Sequence, residues 1–151
     1  MSERAVELDL GVRWSAIEEQ GALIWCNHVA VLILGPHFDD PDQRDVLLQF
    51  DQATYALSSG PNDEAIHNHR LYGRGLGGLA WMGVVTDSEL AIDQDRRSFA
   101  DSPGRVRPPS DPPTHYVVVT KGNVFEVLAR SVTVARSDGA QQQAWRLLGR
   151  P

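Results

Sequence analysis

The chain has 151 residues, of which 42% are hydrophobic and 23% charged, as expected for one ordinary globular domain. Its formal net charge is −6, with 14 basic against 20 acidic side chains. This acidic balance argues against nucleic acid as a partner, because nucleic-acid binding needs a concentrated positive surface, and against binding to anionic membranes.

The N-terminal third predicts β structure. Residues 1–13 predict an edge strand or an ordered arm and lack the hydrophobic region of a signal peptide. Residues 22–34 are rich in Leu, Ile, Val and Trp, which predicts one long central strand or two strands kinked near Asn27 and His28, with His28 in the core. No apolar stretch is long enough to cross a bilayer. We therefore expect a cytoplasmic protein without a membrane partner.

The middle of the chain alternates between strands and irregular segments. Residues 46–57 and 79–85 carry the β-branched and aromatic residues typical of strands. Residues 96–114 hold several arginines and five of the nine prolines, which predicts a long Pro/Arg-rich loop able to act as a lid. A terminal helix is predicted over residues 141–148. The single cysteine, Cys26, excludes an intrachain disulfide and a thiolate zinc cluster.

A β-hairpin is the clearest local signal. Residues 115–120 and 124–129 are β-rich and flank a short polar turn, for which we predict Gly122 and Asn123 as the two turn residues. Alternation then directs Tyr116 and its same-face neighbours to the core and the other residues to the opposite face.

The predicted register has a consequence for two polar residues on the second hairpin face. Glu126 would lie opposite Val119, which is four residues along from His115. At about 3.3 Å per residue, His115 and Glu126 would be roughly 13 Å apart. They would then line one cavity without sharing a proton.

These elements predict a mainly β fold, a β-rich α+β domain. We expect a single domain over residues 1–151, without an internal repeat, in which six to eight strands and short helices form a small barrel or a sandwich.

Residues 58–78 concentrate ionisable side chains and glycines between two apolar segments. The string Gly-x-Gly-x-x-Gly at residues 73–78 is typical of dinucleotide sites only between a buried strand and a helix. No buried strand precedes it here, so we expect no nucleotide cofactor and assign the glycines to a turn or to close backbone packing.

Two histidines in this stretch suggest a metal site. His67 and His69 would share one face of an extended segment, and His-x-His resembles the first cupin motif. The spacing from Gly60 is one residue too long, and no Glu follows at the cupin position. With His115 they would make three ligands for a single metal ion.

Residues 61–66, which lie between Gly60 and the two histidines, suggest a different arrangement. Asn62 would cap a short helix with Asp63 and Glu64 in its first turn, where the helix dipole favours acids. In that helix Asp63 and His67 are four residues apart and form an acid/base couple. This couple and the extended His-x-His exclude each other.

The sequence also resembles a family of small uncharacterised bacterial proteins. The shared pattern begins with Tyr-Ala-Leu-Ser at residues 55–58 and Gly-Pro-Asn-Asp-Glu-Ala at 60–65. It continues with His-x-Leu-Tyr at 69–72, Gly-Leu at 75–76 and later His-Tyr and Phe-Glu pairs, and it covers residues 46–130. Arg70 departs from it, because His-Pro-Leu-Tyr is usual there. The resemblance implies no activity but directs attention to one set of residues: Asn62, Asp63, Glu64, His69, His115 and Glu126.

Three functions follow as hypotheses. The first is a small-molecule-binding domain with optional acid/base catalysis, in which the 58–78 loop lies over one end of the barrel. The second is a cupin-like metal-dependent enzyme that uses His67, His69 and His115. The third is a non-enzymatic, self-associating protein that forms homo-oligomers through the second hairpin face. For the first, the catalytic candidates are Asp63, Glu64, His69 and His115, and the ligand-binding candidates are Asn62, Tyr72, Arg74 and Glu126.

Overall fold

The computed structural model describes residues 2–15, 21–60, 66–101, 104, 106 and 111–149. Two helices and three short 3-10 turns accompany the strands of this part of the chain. The strands are β1 (Arg4–Glu7), β2 (Gly21–Cys26), β3 (Val29–Leu34), β4 (Asp45–Asp51), β5 (Tyr55–Ser59), β6 (Met82–Thr86), β7 (Thr114–Val119), β8 (Val124–Ala129) and β9 (Ser131–Ser137). The helices are α1 (Glu89–Ala100) and α2 (Ala140–Leu147), and the 3-10 turns are Ile66–Asn68, Tyr72–Arg74 and Leu76–Gly78.

The strands form two antiparallel sheets. One has five strands in the order β1-β6-β7-β8-β5, and the other has four in the order β2-β3-β4-β9. Their facing sides share one apolar core, to which Leu32, Phe50 and Phe125 contribute fully buried side chains. The mainly β prediction and its sandwich alternative are therefore confirmed. The barrel alternative is wrong, because the described strands remain in two separate sheets.

Each sheet is also covered on its outer side. Helix α2 packs Ala140 and Ala144 against the four-stranded sheet, and Leu148, which follows the helix, packs beside them. On the five-stranded sheet, the 3-10 turns between residues 66 and 78 bury Leu71 and Leu76 against the outer face. Both faces of the central strands are thus buried, which explains their nearly continuous apolar sequences. Within the described residues, neither helix is long and apolar enough to traverse a bilayer.

The apolar run at residues 22–34 is two strands, because β2 and β3 pair as a hairpin. Asn27 and His28 form the turn, with φ angles of 49° and 65°. Of the two predicted alternatives, the structure therefore has two strands, which are joined by a tight turn and not by a kink. His28 as a core histidine is wrong, since the turn exposes it to solvent.

The glycines of residues 73–78 lie in two consecutive 3-10 turns and, for Gly75, at the junction between them. Gly75 has φ of 106° and packs so closely on the backbone of Ala5 that a Cβ would collide with the Ala5 carbonyl oxygen. The glycine is therefore required by backbone geometry at this point, as the sequence predicts.

The β7–β8 hairpin has a different register from the predicted one. The Thr120 amide donates to the Asn123 carbonyl at 2.9 Å, so the two turn residues are Lys121 and Gly122. Moving the turn by one residue shifts every cross-strand pair by two. The two faces of the hairpin keep their residues, but each residue gains a new partner.

Helix α1 occupies part of the predicted irregular segment. Ser88 caps it by accepting a hydrogen bond from the Ala91 amide, and it continues to Ala100. Residues 96–100 are therefore helical, which corrects the predicted start of the Pro/Arg-rich loop. Residues 102, 103, 105 and 107–110, which all belong to the predicted lid, lie outside the described residues.

Candidate functional site

A chain of polar contacts runs through the outer side of the five-stranded sheet, beginning at the first turn of α1. The Ser88 hydroxyl accepts from the Ala91 amide at 3.1 Å and lies 2.8 Å from Nδ1 of His115. The hydroxyl can donate its own proton to Nδ1 in the tautomer of His115 that carries its proton on Nε2. The helix cap thus orients the His115 ring.

His115 in turn faces Glu126. Nε2 of His115 lies 2.9 Å from Oε2 of Glu126, and the His115 side chain is fully buried. This close approach lacks the alignment of a good hydrogen bond, so Nε2 is left without an aligned partner. This close polar approach nevertheless stabilises the ionised form of Glu126.

His69 approaches the other oxygen of the same carboxylate. Its Nδ1 accepts from the Leu71 amide at 3.2 Å, which leaves Nε2 to donate to Oε1 of Glu126 at 3.1 Å. The 3-10 turn at Ile66–Asn68 ends just before His69 and directs the ring down onto the sheet. Two histidines therefore converge on one carboxylate.

Arg70 links this carboxylate to a second one. One terminal nitrogen donates to Oε2 of Glu126 at 2.6 Å, and the other donates to Oε2 of Glu3 at 2.7 Å. Arg74 also contacts Oε2 of Glu3, at 3.1 Å. The side chain of Glu3 is almost completely buried, and its Oε1 has no partner among the described residues.

The electrostatics of this cluster keep Glu126 ionised. Burial by itself raises the pKa of Glu126, but the contact with His115 and the positive charge of Arg70 outweigh it and lower the pKa to about 2. Burial lowers the pKa of Arg70, but Glu126 and Glu3 more than offset this and raise it. At neutral pH the centre of the cluster is a carboxylate–guanidinium pair.

One side of this pair opens to a groove of about 410 Å3. The groove runs between the first turns of α1 and the edge strand β5, and carboxylate, guanidinium, phenol and leucine side chains share its surface. Its lining residues are Tyr55, Leu57, Arg70, Glu89, Leu90, Asp93 and Glu126. A volume in this range accommodates a small organic molecule.

Tyr55 contributes a neutral polar group to the groove. Burial and the nearby negative charge of Glu126 raise the pKa of Tyr55. Its hydroxyl therefore stays protonated at neutral pH and can donate or accept a hydrogen bond. The groove thus combines one neutral hydroxyl with the Glu126–Arg70 pair and with two further carboxylates on α1, those of Glu89 and Asp93.

The structure brings together only part of the predicted site. His69, His115 and Glu126 meet, which corrects the prediction that His115 and Glu126 are about 13 Å apart. Arg74 joins through Glu3. Tyr72 is partly exposed and packs beside Gly77. Three of the predicted residues lie outside the described residues: Asn62, Asp63 and Glu64.

The three-histidine metal set does not form. His67 is exposed in the first 3-10 turn, whereas His69 and His115 both turn towards Glu126. Within the described ranges, no three His, Cys, Asp or Glu side chains converge closely enough to hold a metal ion.

Sequence reasoning missed eight members of this region: Ser88, Arg70, Glu3 and the groove residues Tyr55, Leu57, Glu89, Leu90 and Asp93. Ser88 had a usable signal, because a serine just before a helix is a common N-cap. Arg70 was noted only as a departure from the family pattern. Tyr55 stood in the family pattern without an assigned role, and Glu3 had no sequence signal, because their places beside residues 70 and 126 depend on the packing of distant segments.

Comparisons with protein-family models, curated proteins and solved structures find no match to this chain. The resemblance to small bacterial proteins therefore stays a prediction.

Proposed function

We propose that this chain is a small-molecule-binding domain whose ligand occupies the groove between α1 and β5. The observation that carries the proposal is the Glu126–Arg70 pair at the edge of a cavity of about 410 Å3. Most carboxylates lie on the surface, and a side chain only 5% exposed that also lines a cavity is uncommon. Polar groups fixed at the wall of a partly apolar cleft are typical of ligand sites.

The protonation states favour binding over acid/base catalysis. A general base works best with a pKa near the working pH, whereas the pKa of Glu126 is lowered to about 2. The Nδ1 atoms of His69 and His115 are committed to Leu71 and Ser88. The two histidines and Glu126 therefore fix the position of a charged carboxylate, and selective binding requires such fixed polar groups.

A fragment screen by NMR tests the proposal. Uniformly 15N-labelled protein is titrated with a small-molecule library, and shifts of the backbone amides are mapped onto the sequence. We expect hits that perturb Tyr55, Leu57, Leu90 and Glu126 together. Leu57→Trp should fill the groove and remove these hits, because Leu57 is 41% exposed and lines it.

Val134→Trp is the matched control. Val134 is 37% exposed on β9, an edge strand of the other sheet, and is not part of the groove lining. This variant should bind the same fragments as the unmodified protein. The proposal fails if no fragment perturbs the groove, or if Leu57→Trp leaves every hit unchanged.

A further inference from the structure

We propose that the ligand of this groove is an organic cation, an ammonium or guanidinium group carried on a short apolar body. This inference rests on the proposed function and narrows it to one chemical class. The described lining holds three carboxylates and one cationic side chain, together with two leucines and a tyrosine.

The charges of the groove are the first argument. Arg70 neutralises Glu126 through a contact of 2.6 Å. Glu89 and Asp93 remain, four residues apart on α1, which places them on the same side of the helix. Asp93 is bridged by Arg97, but the Arg97 side chain is 74% exposed, so solvent weakens that pair. The groove therefore keeps an excess of negative charge.

The availability of Arg70 is the second argument. An anionic ligand would need its guanidinium, but both terminal nitrogens already donate to carboxylates, one to Glu3 and one to Glu126. A second anion beside them would add repulsion from Glu126 and from the carboxylates of α1. A cationic ligand would be attracted by the carboxylates of α1, and it would leave the Arg70 contacts intact.

The apolar residues define the rest of the ligand. Leu57 is partly exposed at the edge of β5, and Leu90 lies opposite it on α1 among the lining residues. The aromatic ring of Tyr55 adds a flat apolar surface to those of the two leucines. Removing these groups from water favours an uncharged hydrocarbon or aromatic body of similar width, attached to the cationic head.

Preorganisation is the last argument. Glu126 is held by His69, Arg70 and His115, so the Glu126–Arg70 wall of the groove is already fixed before a ligand binds. A ligand then loses little of its binding free energy to ordering the protein. Weak but selective binding of small probes should therefore be measurable.

Three probes of matched shape test the class of ligand: 2-phenylethylammonium, 2-phenylethanol and 3-phenylpropanoate. They share a phenyl ring on a two-carbon chain and differ in charge. Each exposed carboxylate should raise the affinity for the ammonium probe by a factor of roughly two to five. With two such carboxylates, we expect the ammonium probe to bind on the order of tenfold tighter than the alcohol at low salt. Added salt should reduce this ratio. Affinities are read from amide shifts at Leu57, Leu90 and Glu126.

Two variants with the same change of charge provide the control. Glu89→Gln removes a carboxylate that lines the groove, and should loosen the ammonium probe roughly two- to fivefold. Asp87→Asn removes a carboxylate two residues away that does not line it, and should leave the affinity unchanged. Equal losses in both variants would contradict binding at the groove carboxylates.

The remaining outcomes separate the inference from the proposed function. In one outcome, the alcohol or the propanoate binds the groove with an affinity equal to or higher than that of the ammonium probe. That result overturns the cationic class but keeps the groove as a ligand site. If none of the three probes perturbs the groove up to its solubility limit, the cationic class is overturned. If no library fragment perturbs the groove either, the proposed function is overturned as well.

Discussion

Nε2 of His115 lies 2.9 Å from Oε2 of Glu126, although the two residues are not opposite each other in the β7–β8 hairpin. Glu126 is paired with Val117 and His115 with Leu128, so the contact runs diagonally across the outer face. Both side chains are buried, which removes solvent from the contact. The charge on Glu126 is therefore balanced chiefly by protein groups.

This relationship predicts how stability depends on pH. The pKa of Glu126 is about 2 in the folded chain against an ordinary value of 4.5, so the folded state favours the ionised form. Its contribution is fully present above pH 4.5 and is lost as the pH falls towards 2. After allowance for solvent near Arg70, we expect about 1–2 kcal/mol to be lost between pH 5 and 3.

Urea unfolding at several pH values measures this loss. Glu126→Gln should be less stable at pH 7 by about 2–4 kcal/mol, because it leaves Arg70 and two histidines without their carboxylate. Its stability should also fall less steeply between pH 5 and 3. Arg70→Met should raise the pKa of Glu126, so that acid destabilisation begins at higher pH. Parallel pH profiles in all three proteins would contradict the assigned charge on Glu126.

Ser88→Ala tests the link between α1 and His115. The substitution removes the helix cap, at about 1 kcal/mol, and leaves Nδ1 of the buried His115 without a donor. We expect a total loss of about 2–3 kcal/mol in the free energy of unfolding, measured by chemical denaturation. Ser98→Ala, on the exposed side of the same helix, should cost less than about 0.5 kcal/mol. A loss of only about 1 kcal/mol in Ser88→Ala, the value of the cap alone, would mean that the His115 contact adds nothing.

Gly75→Ala tests the packing of the 3-10 turns on β1. Gly75 has a φ of 106°, and a new Cβ would collide with the Ala5 carbonyl oxygen. We expect a loss of about 2–4 kcal/mol, measured as a lower urea midpoint. Gly78→Ala in the next turn meets no atom within 4 Å and should be nearly neutral. Comparable stability of the two variants would contradict the close approach of residues 5 and 75.

The hairpin shows what sequence alone could and could not predict. Alternation identifies the two faces of β7 and β8 correctly, because a shift of two leaves each side chain on its own side. The pair His115–Glu126 could not be predicted, because Lys-Gly and Gly-Asn are both acceptable two-residue turns. A one-residue choice at the turn decides whether two polar groups touch or lie far apart.

The rest of the site depends on contacts between distant segments. Arg70 reaches Glu3 and Glu126 only because the 3-10 turns pack on the outer face of the sheet, and no periodicity in residues 66–78 indicates that face. The proposed roles of Asn62 and its two acidic neighbours stay predictions, since they lie outside the described residues. Local patterns therefore predicted the elements, whereas the convergence of charges required the tertiary structure.

His28→Gly should stabilise the protein. Asn27 and His28 both have positive φ, at 49° and 65°, and a two-residue turn of this kind favours Asn followed by Gly. His28 is exposed, and its carbonyl, which accepts from the Ala53 amide, is retained in glycine. We expect a gain of about 0.5–1 kcal/mol, seen as a higher melting temperature and urea midpoint.

The same chemical change at His67 is the control for this turn. His67 is also exposed, but it lies in a 3-10 turn and is not among the described residues with positive φ. His67→Gly should therefore lower stability by up to about 1 kcal/mol, because glycine gains freedom in the unfolded chain without relieving strain. A loss of stability in His28→Gly as well would show that strain at the β2–β3 turn does not limit the stability of the fold.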